Sequence, residues 1–130
     1  MDSRERKTVN ADNKSWGHDA ESIAADYLIA NGYVIRERNW RMGPYEIDII
    51  AEKDNTIVFV EVKARMEGHQ DPISAVDRRK RQRTIRVADS YLRAIEKRYE
   101  YRFDIITLTG TRESFRMSHY PDAYMPLVNS

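Results

Sequence analysis

The chain contains no cysteine. That absence excludes a disulfide framework, a zinc knuckle and a thiol nucleophile. Long hydrophobic runs are missing too. The longest reach about four residues, as at Ile57–Val60, against the roughly 20 needed to span a membrane. The first ten residues, MDSRERKTVN, carry charge but no apolar stretch, so no secretory signal is expected there. His18, His69 and His119 fall at no metal-ligand spacing. No Gly-rich phosphate loop, nucleophile elbow or dinucleotide fingerprint is present. Nor is there an excess of charge of either sign: 22 Lys and Arg oppose 21 Asp and Glu, a net of +1. Near-neutrality excludes a histone-like polycation and an acidic tail. It does not exclude nucleic acid, because a groove needs only local positive charge. A cytoplasmic location without membrane contact is the expectation.

A length of 130 residues suits one domain. Such a domain buries roughly two-thirds of its unfolded surface, enough for one real core. Residues 1–14 are polar and aperiodic and read as a mobile tail. Ser15 to Asn31 reads as a helix closed by Gly32, a residue suited to a left-handed cap. Strands are expected over Tyr33–Arg41, Tyr45–Lys53 and Thr56–Ala64, with Asp54-Asn55 as a tight hairpin turn. Asp71-Pro72 starts a second helix that runs to about Arg98. Tyr101–Leu108 is a further strand, Thr109-Gly110-Thr111 a turn, and Ser114–His119 a short edge strand. The domain is therefore expected over residues 15–120, with 121–130 an irregular tail. This order predicts an α/β fold with a mixed sheet flanked by helices.

The informative stretch is Glu46-Ile47-Asp48-Ile49-Ile50 with Val60-Glu61-Val62-Lys63. Side chains alternate along a strand. With Asp54-Asn55 as the turn, Asp48 lies opposite Glu61, and Glu46 opposite Lys63. Opposite residues share a face, with Cβ atoms about 4.5–5.5 Å apart. Two carboxylates so placed repel unless a cation joins them or a pKa rises. They suit one Mg²⁺ or Mn²⁺, which polarises a phosphate and activates water. Lys63, on the face of Glu61, is placed to orient water or to stabilise charge on a phosphorus centre. The competing reading is a plain Glu46–Lys63 ion pair with Asp48 and Glu61 in solvent.

Asp48, twelve residues, then Glu61-Val62-Lys63 resembles the PD-(D/E)xK nuclease signature, with Ile47 in place of the namesake proline. The chain is more closely similar to the YraN-like bacterial proteins. The resemblance is carried by Gly17, Glu21, Ala24, Tyr27-Leu28, Gly32-Tyr33, Arg38-Asn39-Trp40-Arg41, Glu46-Ile47-Asp48, Phe59-Val60-Glu61-Val62-Lys63 and Arg65. It continues through Pro72, Ala75-Val76, Lys80, Ala88, Tyr91-Leu92 and Arg102-Phe103-Asp104. It implies a restriction-endonuclease-like αβββαβ core and Mg²⁺- or Mn²⁺-dependent hydrolysis of DNA phosphodiesters. The layout is also similar to archaeal Holliday-junction resolvases, which implies branched DNA as a substrate and a homodimer as a state. In such relatives a first-helix Glu joins the metal site, and Glu21 matches it.

The expected catalytic set is thus Glu21, Asp48, Glu61 and Lys63, with Asp48, Glu61 and Glu21 as metal ligands. Gly17, Ala24, Ala25 and Leu28 surround Glu21 on its helix, which suggests close approach of another element. Lys80 falls within the apolar stripe of the second helix, formed by Ile73, Val76, Thr84, Val87, Ala88, Tyr91 and Ile95. Its ammonium needs a partner, either the carboxylates or a phosphate, or else it snorkels to solvent. Arg41, Arg65, Lys80, Arg81 and Arg83 are the candidate DNA contacts. The run Arg78–Arg83 encircles its helix, as a solvated surface does. Trp40 reads as core packing before a base-stacking platform. Two rival functions remain: a catalytically silent nucleic-acid-binding module, and a protein-interaction domain.

Overall fold

The computed structural model describes residues 3–66 and 78–124, with the side chains of the first helix from Ser15 onward. Seven elements follow one another: α1 (Ser3–Ala30), β1 (Val34–Met42), β2 (Tyr45–Lys53), β3 (Thr56–Arg65), α2 (Arg78–Ala94), β4 (Glu100–Thr111) and β5 (Ser114–Tyr124). The strands form one sheet in sequence order. Only β3 and β4 run parallel; the other pairs are antiparallel. A parallel pair needs a crossover, and α2 lies within it. The expected α/β class and mixed sheet are both present, in an αβββαββ order consistent with an endonuclease-like fold.

Among the described residues, each face of the sheet is covered by one helix. Ala20, Ala24, Ala25 and Leu28 of α1 pack on Ile49, Ala51, Val58, Val60, Ile106 and Leu108. Small residues let α1 lie close to the strands. On the opposite face Val87, Ala88 and Tyr91 of α2 meet Ile50, Ile57, Phe59, Phe103 and Ile105. This explains the apolar run of β3: Ile57 and Phe59 feed one layer, Val58 and Val60 the other. Each such buried side chain contributes about 1.5–3 kcal/mol.

Local chemistry sets the joints. Gly32, at φ +88°, closes α1 as expected: its N–H donates to Ile29 (3.1 Å) and that of Tyr33 to Leu28 (3.0 Å). Asp54 and Asn55 both adopt positive φ, as a two-residue hairpin turn requires. Four extents differ from expectation. Helix α1 begins at Ser3, not Ser15, because no Gly or Pro interrupts residues 3–14. Helix α2 ends at Ala94, not near Arg98; its proposed start at Asp71-Pro72 lies outside the described residues. The β4–β5 turn falls at Arg112-Glu113, and Gly110 lies within β4. There a Cβ would sit 2.3 Å from the Ser114 carbonyl oxygen, so this glycine marks a close backbone approach inside the hairpin. Strand β5 reaches Tyr124 despite Pro121, as an edge strand permits.

Candidate metal centre

The β2–β3 register is the expected one, with Lys53 opposite Thr56 and Ile49 opposite Val60. Pairing ends there. At the next position the Asp48 carboxylate accepts the Val62 N–H through Oδ2 at 2.9 Å. The side chain thus takes over a backbone donor that a continued ladder would have used. Beyond it a cleft opens, lined by Glu46, Ile47, Asp48, Phe59, Val60, Glu61, Lys80 and Thr84.

Strand β1 shows why the sheet opens here. Arg38 pairs with Ile49, and Trp40 with Ile47. Residues two apart normally share a face. Yet Arg38 donates to Ser22 of α1 and Ile49 packs under α1, whereas Trp40 and Ile47 join the α2 layer. The switch occurs at Asn39, whose φ of +52° lies in the left-handed region. Trp40 meets Tyr91 edge-on, with ring centroids 5.3 Å apart, so it is core packing as expected. The break lets groups from both layers meet at Asp48.

From α1 comes Glu21, and from β2 Glu46 and Asp48; one carboxylate oxygen of each lies within 4.8 Å of the others. With its amide nitrogen facing the carboxylates, Asn39 donates to Glu46 Oε1 at 2.7 Å and to Glu21 Oε1 at 2.9 Å. Arg41 pairs with Glu46 at 3.2 Å, so the Glu46–Lys63 pair of the competing reading does not form. Glu61 sits on the other side, buried at 9% exposure. Its Oε1 lies 3.7 Å from Lys63 Nζ and is also paired with Lys80 Nζ. Lys80 therefore takes the carboxylate option among those open to it.

The electrostatics follow from burial. Asp48 is pushed up to about 7, first by desolvation and then by Glu21 and Glu61, against the Val62 N–H and Lys80. Glu21 is raised by burial and by Glu46, with Arg38 opposing. Lys63 is lowered, mainly by burial; Lys80 and Arg65 add to this and Glu61 resists it. At Asp48 and Glu21 desolvation and the neighbouring carboxylates outweigh the nearby cations. Three oxygen donors of this kind suit a hard divalent cation.

The remaining candidates scatter around this centre. Arg81 lies over the Tyr124 ring at 5.3 Å, and Arg83 over Tyr45 at 5.8 Å. Arg65 ends β3, half-buried. Arg78, Arg79 and Arg86 are exposed, in keeping with a solvated helix surface. His69 lies outside the described residues. Sequence reasoning left Glu46 out of the ligand set and gave Asn39 no role beyond the family resemblance. An Asn in a strand next to a tryptophan gave no periodic signal; only its backbone conformation reveals it. A second polar centre was also missed. Asp104, fully buried, accepts from His119 Nε2 (2.7 Å), Arg102 Nε (3.0 Å) and the Asp122 N–H (2.9 Å). Burial raises its carboxyl, but the three donors outweigh that and hold it below the usual range.

Comparison with known proteins identifies relatives along most of the chain. Residues 20–108 match the model of the uncharacterised protein family UPF0102. A UPF0102 protein of Bacteroides thetaiotaomicron is 43% identical over 117 residues, covering 89% of this chain and 97% of the relative. One from Treponema pallidum is 41% identical, covering 89% and 97%. One from Myxococcus xanthus is 34% identical, covering 92% and 96%. The matched segment contains Glu21, Asn39, Glu46, Asp48, Glu61, Lys63 and Lys80. Among the described residues no helix is long and apolar enough to cross a membrane.

Proposed function

The chain belongs to the uncharacterised protein family UPF0102, and from that footing we propose that it is a metal-dependent nuclease hydrolysing DNA phosphodiesters by water attack. The observation that carries this reading is the convergence of Glu21, Glu46 and Asp48 within 4.8 Å, beside Glu61, Lys63 and Lys80. Glu21, Glu46 and Asp48 would hold Mg²⁺ or Mn²⁺. Glu61, the other acid of the motif, lies across Asp48 in the same cleft. The cation, when bound, supplies Lewis-acid polarisation of a phosphate oxygen and lowers the pKa of water.

The chain's own residues complete the chemistry. Lys63, with its ammonium pKa lowered by burial, orients the attacking water and takes or returns its proton. Glu61 holds Lys63 in place. Lys80, exposed on α2 yet anchored at Glu61, presents positive charge at the mouth of the cleft where a backbone phosphate would lie. Arg41, Arg65, Arg81 and Arg83 extend that positive rim. Branched DNA is the first substrate to test, and a homodimer the first assembly.

The deciding experiment incubates the purified protein with branched and linear DNA and Mn²⁺, beside an Asp48→Ala control. Cleavage by the wild type alone supports the reading; equal cleavage by both refutes the assigned site. Salt-dependent DNA binding without cleavage or Mn²⁺ uptake favours the silent binding module. Absence of both DNA retention and a metal-induced rise in melting temperature favours the protein-interaction domain.

A further inference from the structure

Asn39 combines three features that nothing in the β-sheet requires. It sits mid-strand with φ +52°, where an L-residue is strained and Asn is the most tolerant after Gly. It falls opposite Asp48, in the gap between the Arg38–Ile49 and Trp40–Ile47 pairs. Its amide bridges Glu21 and Glu46 at 2.9 and 2.7 Å. Strained backbone in a ladder persists only where its surroundings enforce it, and it concentrates at functional sites.

The three features share one physical explanation. Two carboxylates from different elements repel and swing apart unless something neutral or positive stands between them. Asn39 carries two amide protons on one nitrogen and donates one to each acid. The left-handed conformation of Asn39 marks the point where β1 changes faces, from Arg38 on the α1 side to Trp40 in the α2 layer, and there its nitrogen reaches Glu21 of α1. The amide touches Oε1 of each glutamate, while Glu46 Oε2 meets Arg41 at 3.2 Å.

Resting on the nuclease reading above, we propose that Asn39 is the positioning residue of the metal site, a neutral clamp that holds Glu21 and Glu46 at chelating separation before any cation arrives. The clamp lowers the cost of bringing the acids together, and so raises metal affinity without ligating the metal.

The test compares Asn39→Gly with Asn39→Ala. Both remove the amide, but only Gly accepts φ +52° without strain. Titration calorimetry with Mn²⁺ at pH 8 is expected to show affinity reduced about tenfold in both variants. Melting temperature in EDTA is expected to fall several degrees further in Asn39→Ala than in Asn39→Gly. Affinity loss then follows the amide while stability loss follows the backbone, a separation that a merely structural role does not produce. Mn²⁺ binding by Asn39→Gly within about twofold of wild type overturns the assignment. If the wild-type protein takes up no Mn²⁺, the metal reading fails, and the clamp is judged by a melting-temperature cycle with Glu21→Gln. A cost of Asn39→Gly that shrinks in the Glu21→Gln background supports the clamp; an equal cost in both backgrounds overturns it.

Discussion

Replacing Asp48 by Asn removes a negative charge from the centre of the carboxylate cluster while keeping an oxygen to accept the Val62 N–H. The structure predicts that this makes the metal-free protein more stable. Desolvation, with Glu21 and Glu61 nearby, pushes the Asp48 carboxyl up to about 7 in the folded chain. An unfolded aspartate titrates at about 3.9. Below that value both states are protonated and Asp48 carries no charge penalty. As pH rises through 7 the folded carboxylate ionises, and the penalty reaches a ceiling of about 4 kcal/mol. Relaxation and water entry reduce this, so Asp48→Asn is expected to gain at least about 2 kcal/mol at pH 8, roughly 8 °C in melting temperature. The gain shrinks toward pH 5. Thermal melts in EDTA from pH 5 to 9 measure it directly. With Mn²⁺ the order is expected to reverse, since the proposed site would hold the ion in wild type and not in the variant. A variant that melts at or below wild type in EDTA at pH 8 refutes the reasoning. So does a gain that is independent of pH.

Four further outcomes are expected. Wild-type Mn²⁺ affinity, measured by calorimetry, rises steeply from pH 6 to 8 as Asp48 loses its proton. Glu46→Gln, although Glu46 stands outside the Asp48–Glu61 pair of the motif, weakens Mn²⁺ binding at least about tenfold in the same assay. Lys80→Met lowers the salt dependence of DNA binding by about one phosphate contact, with a stability change under about 1 kcal/mol because the ammonium is exposed. Asp104→Ala strands Arg102 and the Asp122 N–H and costs about 3–5 kcal/mol by urea denaturation. In wild type, the lowered Asp104 carboxyl adds stability that is present above the usual aspartate range and lost as pH falls through its folded value.

The strands and their central register were legible in the amino-acid order. The apolar run of β3 and the Asp54-Asn55 turn let the β2–β3 ladder be counted from the turn outward. Gly32 likewise specified the end of α1, since its left-handed conformation is a local property of one residue. Lys80 was legible as a cation that needed a partner, because it interrupts an apolar stripe. Which acids gather was settled by packing between elements. Counting along β2 and β3 placed Asp48 opposite Glu61, and the family resemblance added Glu21. In the folded chain Glu61 is drawn to Lys63 and Lys80, and Glu46 takes its place beside Glu21 and Asp48. Glu21 and Glu46 are joined through Asn39, where a single positive φ breaks the two-residue period of β1. The Asp104 network was invisible for a related reason: Asp122 meets that carboxylate at a β5 irregularity that no linear pattern records, and His119 reaches it across the β4–β5 pair. Periodicity reports regular backbone, and both polar centres lie where the backbone departs from it.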